Sequence, residues 1–177
     1  MRKDYAVFFC NCGKKYKAEF QEYMLDERGW QGQGYRIRVV RRKEDANVIV
    51  HFKTTKQLES IYGHVPDFET EFKGLSLTDS SNPNKIKIYM NLNNWLSPPA
   101  AFEVRDKKDN TIVGKNRLIL YHQYLVQHEF GHALGYGHYE GGYSDRGTYC
   151  HPMMQQTKGT AVCQANPWIS QIKTALK

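Results

Sequence analysis

Three histidines and a glutamate fall at spacings that suit metal chemistry. His128-Glu129-Phe130-Gly131-His132 reads H-E-x-x-H, and Gly135 and His138 extend it to H-E-x-x-H-x-x-G-x-x-H. On a helix, residues four apart lie about 40° apart around the axis and about 6 Å along it, so the imidazoles of His128 and His132 can reach one metal ion. Glu129 sits about 100° further round, where its carboxylate avoids the ligand geometry of its neighbour but can reach a water on that metal. That is the place of a general base. Three neutral imidazoles leave a fourth coordination position open, the arrangement of a catalytic zinc site and not of a closed structural one. Zinc there brings the pKa of a bound water from about 15.7 towards about 7. One Zn2+ ion is therefore the expected cofactor, with His128, His132 and His138 as ligands and Glu129 as catalytic base.

The third ligand constrains the backbone. A continuous helix would carry His138 about 9 Å beyond His132 along the axis, so the helix must stop between them. Gly135 is where the stop is expected, because glycine enters the left-handed conformation of a helix C-terminus without a Cβ penalty. The helix itself is predicted from about Lys115 to Leu134, with Leu118, Ile119, Val126, Phe130 and Ala133 on one side.

The other elements must supply a frame for that helix. Tyr5 to Phe9 reads as a buried strand, Tyr16 to Arg28 as an amphipathic helix closed by Gly29, Gly32 and Gly34, and Tyr35 to Val39 as a half-exposed strand. Asn47 to Phe52 is apolar throughout and suits a central strand, with a short helix around Lys56 to Tyr62. The stretch Gly63 to Asn84, rich in Pro, Asp, Ser and Asn, reads as loop. Lys85 to Met90 alternates and reads as a strand near an edge. Trp95 to Pro99 breaks regular structure, Arg105 to Asn110 is a charged loop, and Asn166 with Pro167 starts a C-terminal helix whose inner face is Trp168, Ile172 and Leu176.

A chain of 177 residues is one domain's worth, and 40% hydrophobic residues are enough to offset the ordering entropy of a compact fold. The longest apolar runs fall far short of the roughly 18 residues that span a bilayer, so no transmembrane helix is expected. The start Met1-Arg2-Lys3 leads into no proper signal-peptide core, which makes an intracellular place the expectation unless the chain was trimmed. The net charge of +7 comes from scattered lysines and arginines without nucleic-acid-binding spacings, so nucleic acid is not an expected partner. Cys150 and Cys163 bracket a loop of suitable length for a disulfide, the alternative being four free thiols with Cys10 and Cys12.

The run His128 to His138 resembles the zinc signature of the metzincin metallopeptidases. Leu92 to Leu96, Tyr121 to Val126, Met154 to Thr157, Cys163 and Asn166 to Trp168 are further similar to short metzincin-like proteins of actinobacteria. The resemblance implies an α+β fold, which the order of elements fits, in a single catalytic domain over 1–177. Its upper subdomain, 1–135, would hold a twisted sheet, a backing helix and the zinc helix. Its lower subdomain, 136–177, would hold the third ligand, a methionine turn and a C-terminal helix. The apolar floor under the histidines is then assigned to Met154, with Met153 as the competitor. The resemblance also implies an edge strand that pairs with extended substrate, for which Ile86, Lys87, Ile88, Tyr89, Met90 and Asn91 are the candidates. Some metzincins carry a tyrosine two residues after the turn methionine. Gln156 stands there in this chain, leaving Tyr139, Tyr143 and Tyr149 as alternative donors. His51, His64, His122 and His151 are expected to be packed or exposed side chains.

These readings lead to a zinc-dependent endopeptidase, acting as a monomer on peptide or protein substrate, with no membrane partner. Two rival readings stand beside it: a zinc-dependent peptide- or protein-binding domain without turnover, and a zinc amidase acting on a non-peptide amide.

Overall fold

The computed structural model describes residues 4–10, 13–66, 68–104, 116–140, 149–160 and 163–172, with the backbone only at 70 and 71. Five strands form one mixed sheet: β1 (Asp4–Cys10), β2 (Arg36–Val39), β3 (Val48–Lys53), β4 (Leu77–Asp79) and β5 (Ile86–Asn91), in the spatial order β2-β1-β3-β5-β4. β2, β1, β3 and β5 run parallel, and β4 is antiparallel to β5. β3 lies in the middle, as its unbroken apolar run Val48-Ile49-Val50 requires, since a central strand is covered on both faces.

Alternation along the parallel strands puts Tyr5, Val7, Phe9, Ile37, Val48, Val50, Ile86, Ile88 and Met90 into one buried cluster. Two helices complete that cluster: α1 (Lys14–Met24), through Phe20 and Met24, and the long α4 (Arg117–Ala133), through Tyr121, Leu125, Val126 and Phe130. The helix α2 (Thr55–Tyr62) opens with a capping box in which Thr54 and Gln57 satisfy each other's backbone N–H groups. A short helix α3 (Leu92–Leu96) follows β5 directly, capped by Asn91, and buries Trp95. Regular structure thus continues to Leu96 and ends at Ser97.

Four expectations are corrected. Gly63 to Asn84 is not all loop: it holds a π-helical turn at Phe68–Phe72 and the strand β4, whose three residues are too few to display alternation. Because β4 pairs Leu77, Thr78 and Asp79 with Tyr89, Ile88 and Lys87, the segment Ile86, Lys87, Ile88, Tyr89, Met90, Asn91 is an inner strand and no edge. Leu118 and Ile119 are 45% and 48% exposed. The buried part of α4 starts at Tyr121, and the first turn is tied by Arg117 to the carbonyls of Pro98, Pro99 and Phe102. Among the described residues, which end at Ile172, the expected C-terminal helix is represented by one 3-10 turn at Ile169–Gln171. Asn166 accepts the N–H of Trp168 and donates to the carbonyls of Cys150 and Trp168, which holds Trp168 extended, and Ile172 is extended again. The Arg105 to Asn110 loop and Leu176 lie outside the described residues.

Candidate metal centre

α4 delivers His128, Glu129 and His132 from inside the core. Its backbone is fixed by Trp30, whose indole N–H donates to the Gln127 carbonyl at 2.7 Å. The Gln127 side chain accepts from Trp30 N at 3.2 Å and donates to the Tyr23 carbonyl at 2.6 Å. A buried glutamine beside His128 is thereby satisfied, and it clamps the helix to the last turn of α1 and to Trp30 beyond it.

The helix stops as a Schellman motif. Gly135 adopts φ 98°, its N–H donates to the His132 carbonyl at 3.0 Å, and Tyr136 N–H reaches back to the Gly131 carbonyl at 3.0 Å. The turn brings His138 back to the helix: its Nε2 lies 3.2 Å from His132 Nε2, which in turn lies 3.3 Å from His128 Nε2. One ligand atom from each of the three histidines falls within 4.8 Å of the others.

Hydrogen bonds on the far side of the rings fix the tautomers. His128 Nδ1 meets the Pro152 carbonyl at 2.8 Å and His132 Nδ1 meets the Tyr136 carbonyl at 2.8 Å. A carbonyl only accepts, so both Nδ1 atoms carry the proton and both Nε2 atoms present lone pairs to the centre. Lone pairs facing each other at this distance repel unless a cation lies between them. Burial pushes the pKa of all three histidines down, His128 to about 3, with His132 the next cause there, so the rings are neutral, as a metal requires of its ligands. The donor set therefore fits a metal ion.

Glu129 is 3% exposed and lines the same cleft of about 340 Å³ as the three histidines. Its Oε2 accepts from the Thr78 hydroxyl at 2.7 Å. Burial raises the carboxyl to about 7, against the lowering effect of that hydrogen bond. Thr78 belongs to β4, so the edge strand and the glutamate form one wall of the cleft; Gln155, Thr157 and Lys158 lie among the residues of its remaining wall.

The methionine expectation changes partner. Met153 is buried against Gly131 of α4, between the two helix ligands, where a Cβ would collide with the Met153 sulfur and stand 2.8 Å from the Trp30 ring. Met154 is partly exposed, with its Sδ 4.0 Å from Cys163 Sγ and its carbonyl accepting from Tyr124. The packing position under the helix therefore belongs to Met153, because Gly131 is the one ligand-helix residue without a side chain there.

Cys150 and Cys163 form a disulfide across this segment. Gln156 is buried and braces it, donating to the carbonyls of His151 and Asn166 and accepting from Asn166 N–H. The tyrosines of the cleft are Tyr124 and Tyr136, the latter sharing a 2.7 Å hydroxyl contact with Tyr35. Tyr139 instead stacks on His151, Tyr149 borders a separate cavity with Trp168, and Tyr143 lies outside the described residues. His51 stacks on Tyr89, and His122 on Trp95.

Sequence reasoning missed Thr78, the Pro152 and Tyr136 carbonyls, and Trp30. A tryptophan just after a predicted helix was the one visible signal; the carbonyls have none.

Fold and site define an α+β protein with a three-histidine group able to bind a metal ion. Within that class the chain belongs to the DUF3152 family, described as a protein of unknown function, whose match covers residues 11–166. No curated protein and no solved structure matches the chain. Among the described residues, no helix is long and apolar enough to cross a membrane.

Proposed function

We propose that the protein is a zinc-dependent endopeptidase of the metzincin type, acting on extended peptide. The observation that carries this reading is the convergence of three Nε2 atoms at 3.2 and 3.3 Å beside a buried glutamate in one cleft. Tetrahedral coordination at the usual Zn–N length of about 2.0–2.1 Å places ligand nitrogens about 3.3 Å apart, which the spacing matches. The Gly135 turn and the Met153 packing support the metzincin assignment, as does an antiparallel strand at the sheet edge beside the site.

His128, His132 and His138 would hold the zinc, which when bound acidifies a water and polarises the scissile carbonyl. Glu129 takes the proton from the attacking water and returns it to the leaving amine, a role suited to a carboxyl whose environment raises it to about 7. The Pro152 and Tyr136 carbonyls hold the first two rings in the ligating tautomer. Among the described residues β4 is the outermost strand, and its outer edge is offered to the peptide backbone in place of Ile86 to Asn91.

The test is digestion of a diverse peptide mixture by zinc-loaded protein, with new termini read by mass spectrometry, beside a Glu129→Gln variant. New termini are expected from the wild type and none from the variant, with zinc retained by both. Cleavage by Glu129→Gln at the wild-type rate would sink the mechanism. Tight peptide binding without new termini would favour the reading as a binding domain.

A further inference from the structure

Glu129 is almost wholly buried, yet among the described residues its carboxylate has one hydrogen-bond partner, the Thr78 hydroxyl at 2.7 Å. An ionised carboxylate has room for about four such bonds, so one donor fixes its orientation and leaves its remaining acceptor capacity to the cleft. The same hydroxyl lies 3.0 Å from the main-chain carbonyl of Glu129. A threonine hydroxyl has one proton, so it serves one of these acceptors at a time, and both belong to the same residue.

Thr78 is also placed to sense the cleft. It is the middle residue of β4, which pairs with β5 and with no other strand among the described residues, and it lines the cleft with Ser76, Leu77 and Ser80. A peptide lying along that edge would fix the backbone that carries the hydroxyl. The three histidines hydrogen-bond elsewhere, to the Pro152 and Tyr136 carbonyls and toward one another.

We infer that Thr78 is a positioning residue for Glu129, a donor that aims its carboxylate into the cleft. The inference rests on the endopeptidase reading of the site. Thr78→Val keeps the shape of the side chain and removes the donor, and Thr78→Ser keeps the donor. The expected result for Thr78→Val is a loss of about 10–100-fold in kcat, the range typical of supporting hydrogen bonds around a metal site, with KM unchanged within about twofold. Zn2+ affinity, read by competition with a chromogenic chelator, is expected to stay at the wild-type value, and Thr78→Ser is expected to recover most of the lost rate.

A second measurement needs neither metal nor turnover. In the metal-free protein, urea unfolding of Thr78→Val, Glu129→Leu and the double variant forms a cycle. The double variant is expected to depart from the product of the two single effects by about tenfold in the unfolding constant. Where Thr78→Val does not fold, Thr78→Ala is read the same way. Wild-type kcat in the valine variant overturns the inference, as does a fall in zinc affinity that tracks kcat, or a cycle that closes without coupling. A wild type that cleaves nothing removes the endopeptidase reading and this inference together, whereas an active wild type with an unaffected Thr78→Val removes this inference alone.

Discussion

Two of the three histidines stand on a helix and the third on an irregular turn, and the two regions are built by different physics. His128 and His132 inherit their places from α4, which is buried along most of its length from Tyr121 to Ala133 and clamped by Trp30 and Gln127. His138 is exposed and follows Gly137, and it reaches the site through the Gly135 turn. Beyond it, the described residues between Tyr149 and Ile172 hold one isolated bridge and two 3-10 turns. Side chains and the disulfide fasten them instead: Gln156, Asn166, and Cys150 with Cys163. The helix gives precision through its backbone ladder, which any sequence of the right pattern forms. The turn region gives it through particular contacts, each of which can be removed singly.

The largest effect expected from breaking this contrast is on metal binding. His128→Ala and His132→Ala remove ligands from the preformed pair, and His138→Ala leaves that pair intact. Each is expected to lose more than about 100-fold in Zn2+ affinity, beyond the range usual for an outer hydrogen bond. His138→Ala should retain the most, as measured by chelator competition, and should leave the unfolding of the metal-free protein unchanged because its side chain is exposed. Wild-type affinity in His138→Ala would remove it from the ligand set.

Cys150→Ala with Cys163→Ala tests what fastens the turn region. The two cysteines are 13 positions apart, and closing a loop of that size contributes about 3 kcal/mol. Urea unfolding should show that loss. Hydrogen exchange should place the new opening at 149–160, with the amides of α4 still protected. Since the Pro152 carbonyl orients His128, zinc affinity is expected to fall as well. Uniform exposure of α4 and the loop would mean that the two regions fold as one unit.

The same contrast explains what was legible in the chain. The ligand helix, its glycine stop and the parallel strands are local patterns of period 3.6 or 2 with a stop residue, so their residues announced them. β4 was hidden because three residues between Ser76 and Ser80 cannot show alternation, and with it went the edge of the sheet and Thr78. The choice between Met153 and Met154 depended on which side chain meets Gly131 across space, a tertiary fact. Asn166 was read as a helix cap, but the turn at Ile169–Gln171 starts after Trp168: the Asn166 side chain accepts the N–H of Trp168, and its other two hydrogen bonds, to the carbonyls of Cys150 and Trp168, hold the chain extended.

Gly135→Ala separates backbone from packing at the junction of the two regions. An added Cβ there meets nothing within 4 Å, so the cost is conformational: alanine must hold φ near 98°. A loss of about 1 kcal/mol is expected in the urea midpoint, with Gly135→Asn losing less because asparagine tolerates the left-handed region. No loss in the alanine variant would mean that the turn has another low-energy form.

The smallest effect expected is a dependence on pH away from the metal. Burial lowers His51, in the sheet, to about 4, with Lys53, Lys43 and Lys87 adding to it; burial also lowers His151, in the turn region, to about 4. Both are neutral when folded and take a proton near their usual 6.5 when unfolded. Their contribution is therefore complete above about pH 6.5 and is lost as pH falls from there towards 4. The two sites differ in what protonation breaks. His51 stacks on Tyr89, so a charge there costs desolvation and meets three lysines. His151 accepts the N–H of Met153 at its Nδ1, so a proton there removes the acceptor and strains the turn beneath α4. In metal-free protein, hydrogen exchange at pH 5 should accordingly show the turn region opening before the sheet, and His51→Phe should flatten only the part of the acid response that belongs to the sheet. If His51→Phe abolishes the whole response, the sheet and not the turn is the acid-sensitive region.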